Sequence, residues 1–162
     1  MLSGDTPQPV GYNGSGTAVT AVPSTGYHFA GWSDGVTTAA RVDTGVRANI
    51  AVTALFAANP VLSTTTKLSG SSSTRVKKYY KLSGTVSPAG PGRVTIKMTR
   101  KVGRKWRSAG TVNVSVSGGS FSYRFKPRYR GSWHFVATYS GGMTAATTYW
   151  TSHSVTKSLS VR

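Results

Sequence analysis

The chain has 162 residues, with 20 Lys and Arg against 3 Asp and Glu, no Cys and a formal net charge of +17. Without Cys there is no disulfide scaffold and no thiolate metal site, and no run is apolar enough to insert into a membrane. The charge is also unevenly placed. Residues 1–60 hold Arg41 and Arg47 against Asp5, Asp34 and Asp43, whereas residues 61–162 hold the other 18 cations and no acid. A contrast of this kind within one chain points to two domains, the second with a field that reaches outward to anions. Short alternating runs of Val, Thr, Tyr and Trp, with no three-four apolar spacing, predict a mostly β protein of exported type.

In the first block, Thr17 to Val22 alternates with Val19 and Ala21 on one face, and Pro23 to Gly26 is a turn. Tyr27 to Trp32 and Ile50 to Phe56 are the next strands, with a turn at Ser33-Asp34-Gly35. Residues 1–58 are expected to form this module, and the small polar residues of 59–66 a linker. Residues 67–162 then carry about seven strand signals, with turns every 8–12 residues as in a sandwich. Tyr80, Leu82, Gly84 and Val86 alternate up to Pro88. Val94, Ile96 and Met98 form the apolar face of a strand whose other face is Arg93, Thr95, Lys97, Thr99 and Lys101. Gly103-Arg104-Lys105 turns into a strand from Trp106 to Val116, and Gly118-Gly119 turns again. Phe121, Tyr123 and Phe125, then Trp133, Phe135, Ala137 and Tyr139, are further apolar faces, and Ser154 to Val161 is the last strand.

Two resemblances follow. The run Gly16 to Pro23, then Gly26-Tyr27-His28-Phe29-Ala30-Gly31-Trp32-Ser33-Asp34-Gly35, then Val52 to Phe56, resembles a divergent internalin B-repeat of the Listeria–Bacteroides type. That resemblance implies a small β-grasp-like, non-catalytic module of bacterial surface proteins, usually in tandem. Members usually begin with a further strand and a Gly-Gly turn, so it also implies a piece of a longer repeat protein, truncated at its N-terminus. Leu82 to Pro88, Val94-Thr95-Ile96, Gly119-Ser120-Phe121, Tyr129 to Trp133 and Ala137 to Gly141 are similar to bacterial immunoglobulin-like modules of exported Gram-positive and actinobacterial proteins. The chain is therefore expected to be extracellular or wall-bound, with its signal peptide elsewhere; Met1 to Asp5 has neither the basic start nor the apolar core of one.

Catalysis is disfavoured by inventory. General acid–base chemistry needs paired carboxylates or an oriented His. His134 and His153 have no acid in their block, and Ser33 and Asp34 near His28 read as turn residues. Three scattered His without Cys or an acidic loop suit no metal, and no cofactor is expected. A self-made Lys–Asn crosslink fails too, because the first block has acids but no Lys and the second Lys but no acid.

The positive signal is the basic set. Arg93, Lys97 and Lys101 share a strand face, and Arg104, Lys105 and Arg107 sit at the hairpin tip. Arg124 and Lys126 share a polar face, and Arg128 and Arg130 flank the following turn, with Trp106, Tyr123 and Tyr129 interleaved. Cations beside rings suit a polyanion, charge meeting phosphate or carboxylate and rings meeting sugar or base. Trp106 and Tyr129 join the ten cations as candidate binding residues. Solubility alone would call for both signs of charge. The expected partner is an anionic cell-wall polymer or other polyanion, nucleic acid included. A passive stalk, a non-specific nucleic-acid binder and a protein-binding adhesin are the rival roles.

Overall fold

A computed structural model describes all 162 residues. The chain divides into two compact units, Met1–Pro60 and Val61–Arg162. Both are built from strands, no helix forms in either, and none is therefore long and apolar enough to cross a membrane.

The first unit holds β1 (Leu2–Ser3), β2 (Val19–Ala21), β3 (Tyr27–Trp32), β4 (Ala40–Arg41) and β5 (Ala54–Ala58). They form two small sheets, ordered β1-β2-β4 and β3-β5. The strand expected over 50–56 is formed from Ala54 onward, while 50–53 are irregular. The core is small: Val19, Ala21 and Trp32 are buried, with Phe29, Val52, Ala54 and Phe56 packed on them. Trp32 meets Phe29 edge-on at 5.8 Å, and its Nε1–H donates to the Thr38 carbonyl at 3.0 Å. The buried indole thus has both its apolar body and its one donor satisfied.

Arg41 closes this unit. Its guanidinium donates to Asp34 at 3.0 Å and to Asp43 at 2.6 Å and lies 5.0 Å from the Trp32 ring centre. The two partners raise its pKa, and the Arg41 hydrogen bond is the main cause holding the Asp34 carboxyl below its ordinary range. These acids are therefore committed within their own unit.

The second unit continues with β6 (Val61–Leu62), β7 (Thr65–Ser69), β8 (Ser73–Thr74), β9 (Tyr80–Ser87), β10 (Arg93–Val102) and β11 (Lys105–Ser115). Then come β12 (Ser120–Phe125), β13 (Gly131–Tyr139), β14 (Gly142–Met143), β15 (Thr148–Tyr149), β16 (Ser152–His153) and β17 (Lys157–Val161). The large sheet runs β11-β10-β13-β17-β8, with β16 added to β13, and the smaller runs β12-β9-β7. Leu82, Val86 and Phe121 from the smaller sheet pack with Ile96, Phe135 and Leu159 from the larger in a single core. Gly84 is required there: a Cβ on it would run into the Phe121 ring and the Lys67 backbone carbonyl.

The segment 59–66 differs from the linker expected. Val61 and Leu62 pair in parallel with Thr148 and Tyr149 in a third sheet, β14-β15-β6. The Thr64 and Thr66 hydroxyls both meet Ser152 Oγ at 2.7 Å. Small hydroxyl residues that suggest a solvated linker here hold the chain to the second unit through side-chain hydrogen bonds.

A basic end on the second unit

The position of each cation follows from strand direction. In the antiparallel sandwich, successive turns fall at opposite ends. The turns at 75–79, 103–104 and 126–130 share one end with the last residue, Arg162. Backbone hydrogen bonds tie the first of these loops to the third and to the last residue, Lys77 N–H to the Pro127 carbonyl at 2.8 Å and Val76 N–H to the Arg162 carbonyl at 2.9 Å.

That end collects most of the charge. The first loop supplies Arg75, Lys77 and Lys78, and the adjoining strand ends supply Lys81 and Arg162. The β10–β11 hairpin supplies Arg100, Lys101, Arg104, Lys105 and Arg107, and the end of β12 with its loop supplies Arg124, Lys126, Arg128 and Arg130. These are 14 of the 18 cations of residues 61–162. The segments forming the opposite end, 61–66, 88–92, 116–119 and 140–152, contain no charged residue.

The sequence-based cluster is thereby redrawn. Arg93 and Lys97 share the outer face of β10 with Lys101, as expected, but the strand carries them away from the hairpin. At about 3.3 Å per residue, Arg93 lies about 26 Å along the strand from Lys101, and it pairs with Ser115 near the uncharged end. Such a separation exceeds the screening length of about 8 Å at physiological salt. Lys101, Arg104, Lys105, Arg107, Arg124, Lys126, Arg128 and Arg130 do lie at the same end, all of them exposed. Arg75, Lys77, Lys78, Lys81, Arg100 and Arg162, which spacing along the chain does not single out, join them.

The aromatic rings take roles that spacing along the chain does not show. Arg100 sits 4.5 Å over the exposed Tyr129 ring and 6.0 Å from the buried Trp133 ring. Exposed Tyr79 carries two cations, Arg124 at 5.3 Å and Lys126 at 5.2 Å. Trp106 stacks on His134 at 3.6 Å across the outer face of the large sheet, and Tyr123 packs on the core instead of lining the basic surface. Lys81 and Arg124 are cross-strand partners, as are Arg100 and Arg107. Like charges held directly opposite repel, and no acid in the unit offsets them.

The histidines are engaged elsewhere. His28 Nδ1 is 3.0 Å from Asn59 Oδ1, and His153 Nδ1 is 3.0 Å from Thr138 Oγ1. Neither contact supplies the carboxylate that orients a catalytic base.

No curated protein matches the chain. Residues 2–60, nearly the whole of the first compact unit, match the family model described as the divergent InlB B-repeat domain.

Proposed function

We propose that the chain is a non-catalytic attachment module of an exported bacterial surface protein, in which an immunoglobulin-like sandwich binds anionic cell-wall polymer through its basic end. The observation that carries this reading is the segregation of charge: 14 cations lie towards one end of a unit, and the segments forming its opposite end carry none. Cations needed only for solubility would be spread around the surface and mixed with acids. A concentrated field of one sign raises the local density of counter-ions and steers a polyanion to that end. The B-repeat match over residues 2–60 supports the exported, non-catalytic setting, since that family occurs in surface proteins.

The test is sedimentation of the protein with purified Gram-positive cell walls, before and after chemical removal of their anionic polymer. Binding that is saturable, falls with salt and is lost with the polymer is the expected result. Walls that retain the protein equally well once stripped would refute the reading. So would no saturable binding at all, the behaviour of a passive stalk.

A further inference from the structure

The basic end also constrains the kind of polyanion it takes, given the polyanion reading above. Its cations do not lie in one plane. Lys81 and Arg124 are on the outer face of the smaller sheet, Arg104 and Lys105 at the tip of a hairpin from the larger sheet, and Arg128 and Arg130 in the loop joining the two sheets. Stacked sheets stand about 10 Å apart, so the band of charge turns over the end of the sandwich. A stiff rod touches such a band on one side only. A duplex, with a persistence length of about 150 base pairs, would have to be bent sharply to follow it. A flexible single chain can follow it at little cost.

Charge spacing narrows the class further. Arg100 and Arg107, and Lys81 and Arg124, are directly opposite across adjacent strands, which places their Cα atoms about 4.5–5.5 Å apart. Backbone positions this close let two cations reach one short stretch of ligand, as a chain with an anion at every short repeat offers. A glycan with one carboxylate per pair of sugar rings spaces its charges more widely. Eight of the fourteen are Arg, whose planar fork suits tetrahedral phosphate oxygens as well as carboxylates.

The rings point the same way. A platform for bases or sugars offers a free aromatic face. Tyr79 and Tyr129 each instead hold cations of this same protein. An Arg or Lys seated over a ring loses freedom before any ligand arrives, so less is lost on binding. We infer that the basic end binds a flexible, single-chain polymer bearing a phosphate at every repeat, wrapped over the end of the sandwich. In that complex Tyr79 and Tyr129 are positioning residues that hold Arg124, Lys126 and Arg100, and they are not stacking platforms.

The experiment titrates the whole protein with four fluorescent probes matched in total charge: long-chain inorganic polyphosphate, oligo(dT), duplex DNA and hyaluronate. Each is measured across a salt series. Polyphosphate and oligo(dT) are expected to bind within about threefold of each other, and duplex and hyaluronate at least about tenfold more weakly, the latter two reaching fewer cations at once. The double variant Y79L/Y129L is expected to lose about three- to tenfold in polyphosphate affinity, because the three cations held over these two exposed rings are freed. Y79F/Y129F, which keeps both ring faces, should bind like the parent. Duplex binding as tight as polyphosphate would overturn the wrapped flexible chain, and hyaluronate binding as tight would overturn the phosphate assignment. Oligo(dT) binding far above polyphosphate, or Y79F/Y129F as weak as Y79L/Y129L, would overturn the role given to the rings. Failure of all four probes to bind would instead sink the polyanion reading itself.

Discussion

Replacing Arg104, Lys105 and Arg107 by Gln separates location from net charge. The three are exposed, belong to the β10–β11 hairpin and lie at the basic end. A control variant replaces Arg93, Lys97 and Lys157, which remove the same charge from positions nearer the middle or the far end of the strands. Each phosphate contact adds about 0.7 to the slope of log K against log salt for a single-stranded polyanion. At 0.15 M salt that corresponds to about fourfold in affinity per contact, and about fifty-fold if all three are made. The hairpin variant should therefore bind polyphosphate up to about fifty-fold more weakly, with a slope lower by about 2. The control should stay within about threefold of the parent, because charges beyond about 8 Å are largely screened. Fluorescence anisotropy over 50–500 mM NaCl reads both quantities, and far-ultraviolet circular dichroism checks that the sandwich is intact. Equal losses in the two variants would show that net charge, not its gathering at one end, sets affinity, and the geometric argument would fail.

Three further outcomes test the folding of the two units. Trp32→Ala removes the largest buried side chain of the first unit and orphans the Thr38 carbonyl; urea denaturation should show a loss of about 3–5 kcal/mol, and a loss below about 1 kcal/mol would mean the indole is not a core residue. Gly84→Ala places a methyl against both the Phe121 ring and the Lys67 backbone carbonyl; a loss of about 1–3 kcal/mol or more is expected, and G84A/F121L should recover only the part due to the ring. Asp34, its carboxyl held below the ordinary carboxylate value chiefly by its hydrogen bond from Arg41, gives the first unit a stabilisation that is present above the unfolded pKa and is lost as pH falls through the lower folded one. The melting temperature of a 1–60 fragment should therefore fall more between pH 5 and pH 2 than that of its Asp34→Asn variant, and parallel pH profiles would refute the role of this pair.

Local structure was readable from the sequence because it follows from residue pattern. Val94, Ile96 and Met98 alternate with polar neighbours and are buried on one face of β10, and Gly103, at φ +59, turns the hairpin where expected. Trp32 is in the core for the same reason. What the pattern does not carry is which distant turns meet. Arg93 and Lys97 look like neighbours of Arg104 along the chain, but an extended strand separates them. Arg100 has the parity of the core face and so did not suggest a surface cation, yet it emerges at the strand end over Tyr129. One signal would have found the basic end. In an antiparallel sandwich alternate turns share an end, and here alternate turns are charged: 75–79, 103–104 and 126–130, against the uncharged 88–92, 116–119 and 140–147.

The same segregation has a cost in the free protein that gives a last, independent expectation. With 18 cations and no acid, the second unit repels itself, and like charges stand on directly opposite residues at Arg100 and Arg107 and at Lys81 and Arg124. Self-repulsion of this kind destabilises a compact state and is relieved by screening. Added NaCl should therefore raise the melting temperature of residues 61–162 when no polyanion is present. A bound polyanion relieves the same repulsion more locally and stabilises the folded state in proportion to its occupancy. In saturating polyphosphate at low salt the melting temperature should accordingly be high, and added NaCl should first lower it, because salt releases the ligand faster than it screens the protein. Differential scanning calorimetry with and without polyphosphate reads both curves. If salt raises the melting temperature equally in the two conditions, the ligand is not neutralising the charges that salt screens, and the basic end is not where it binds.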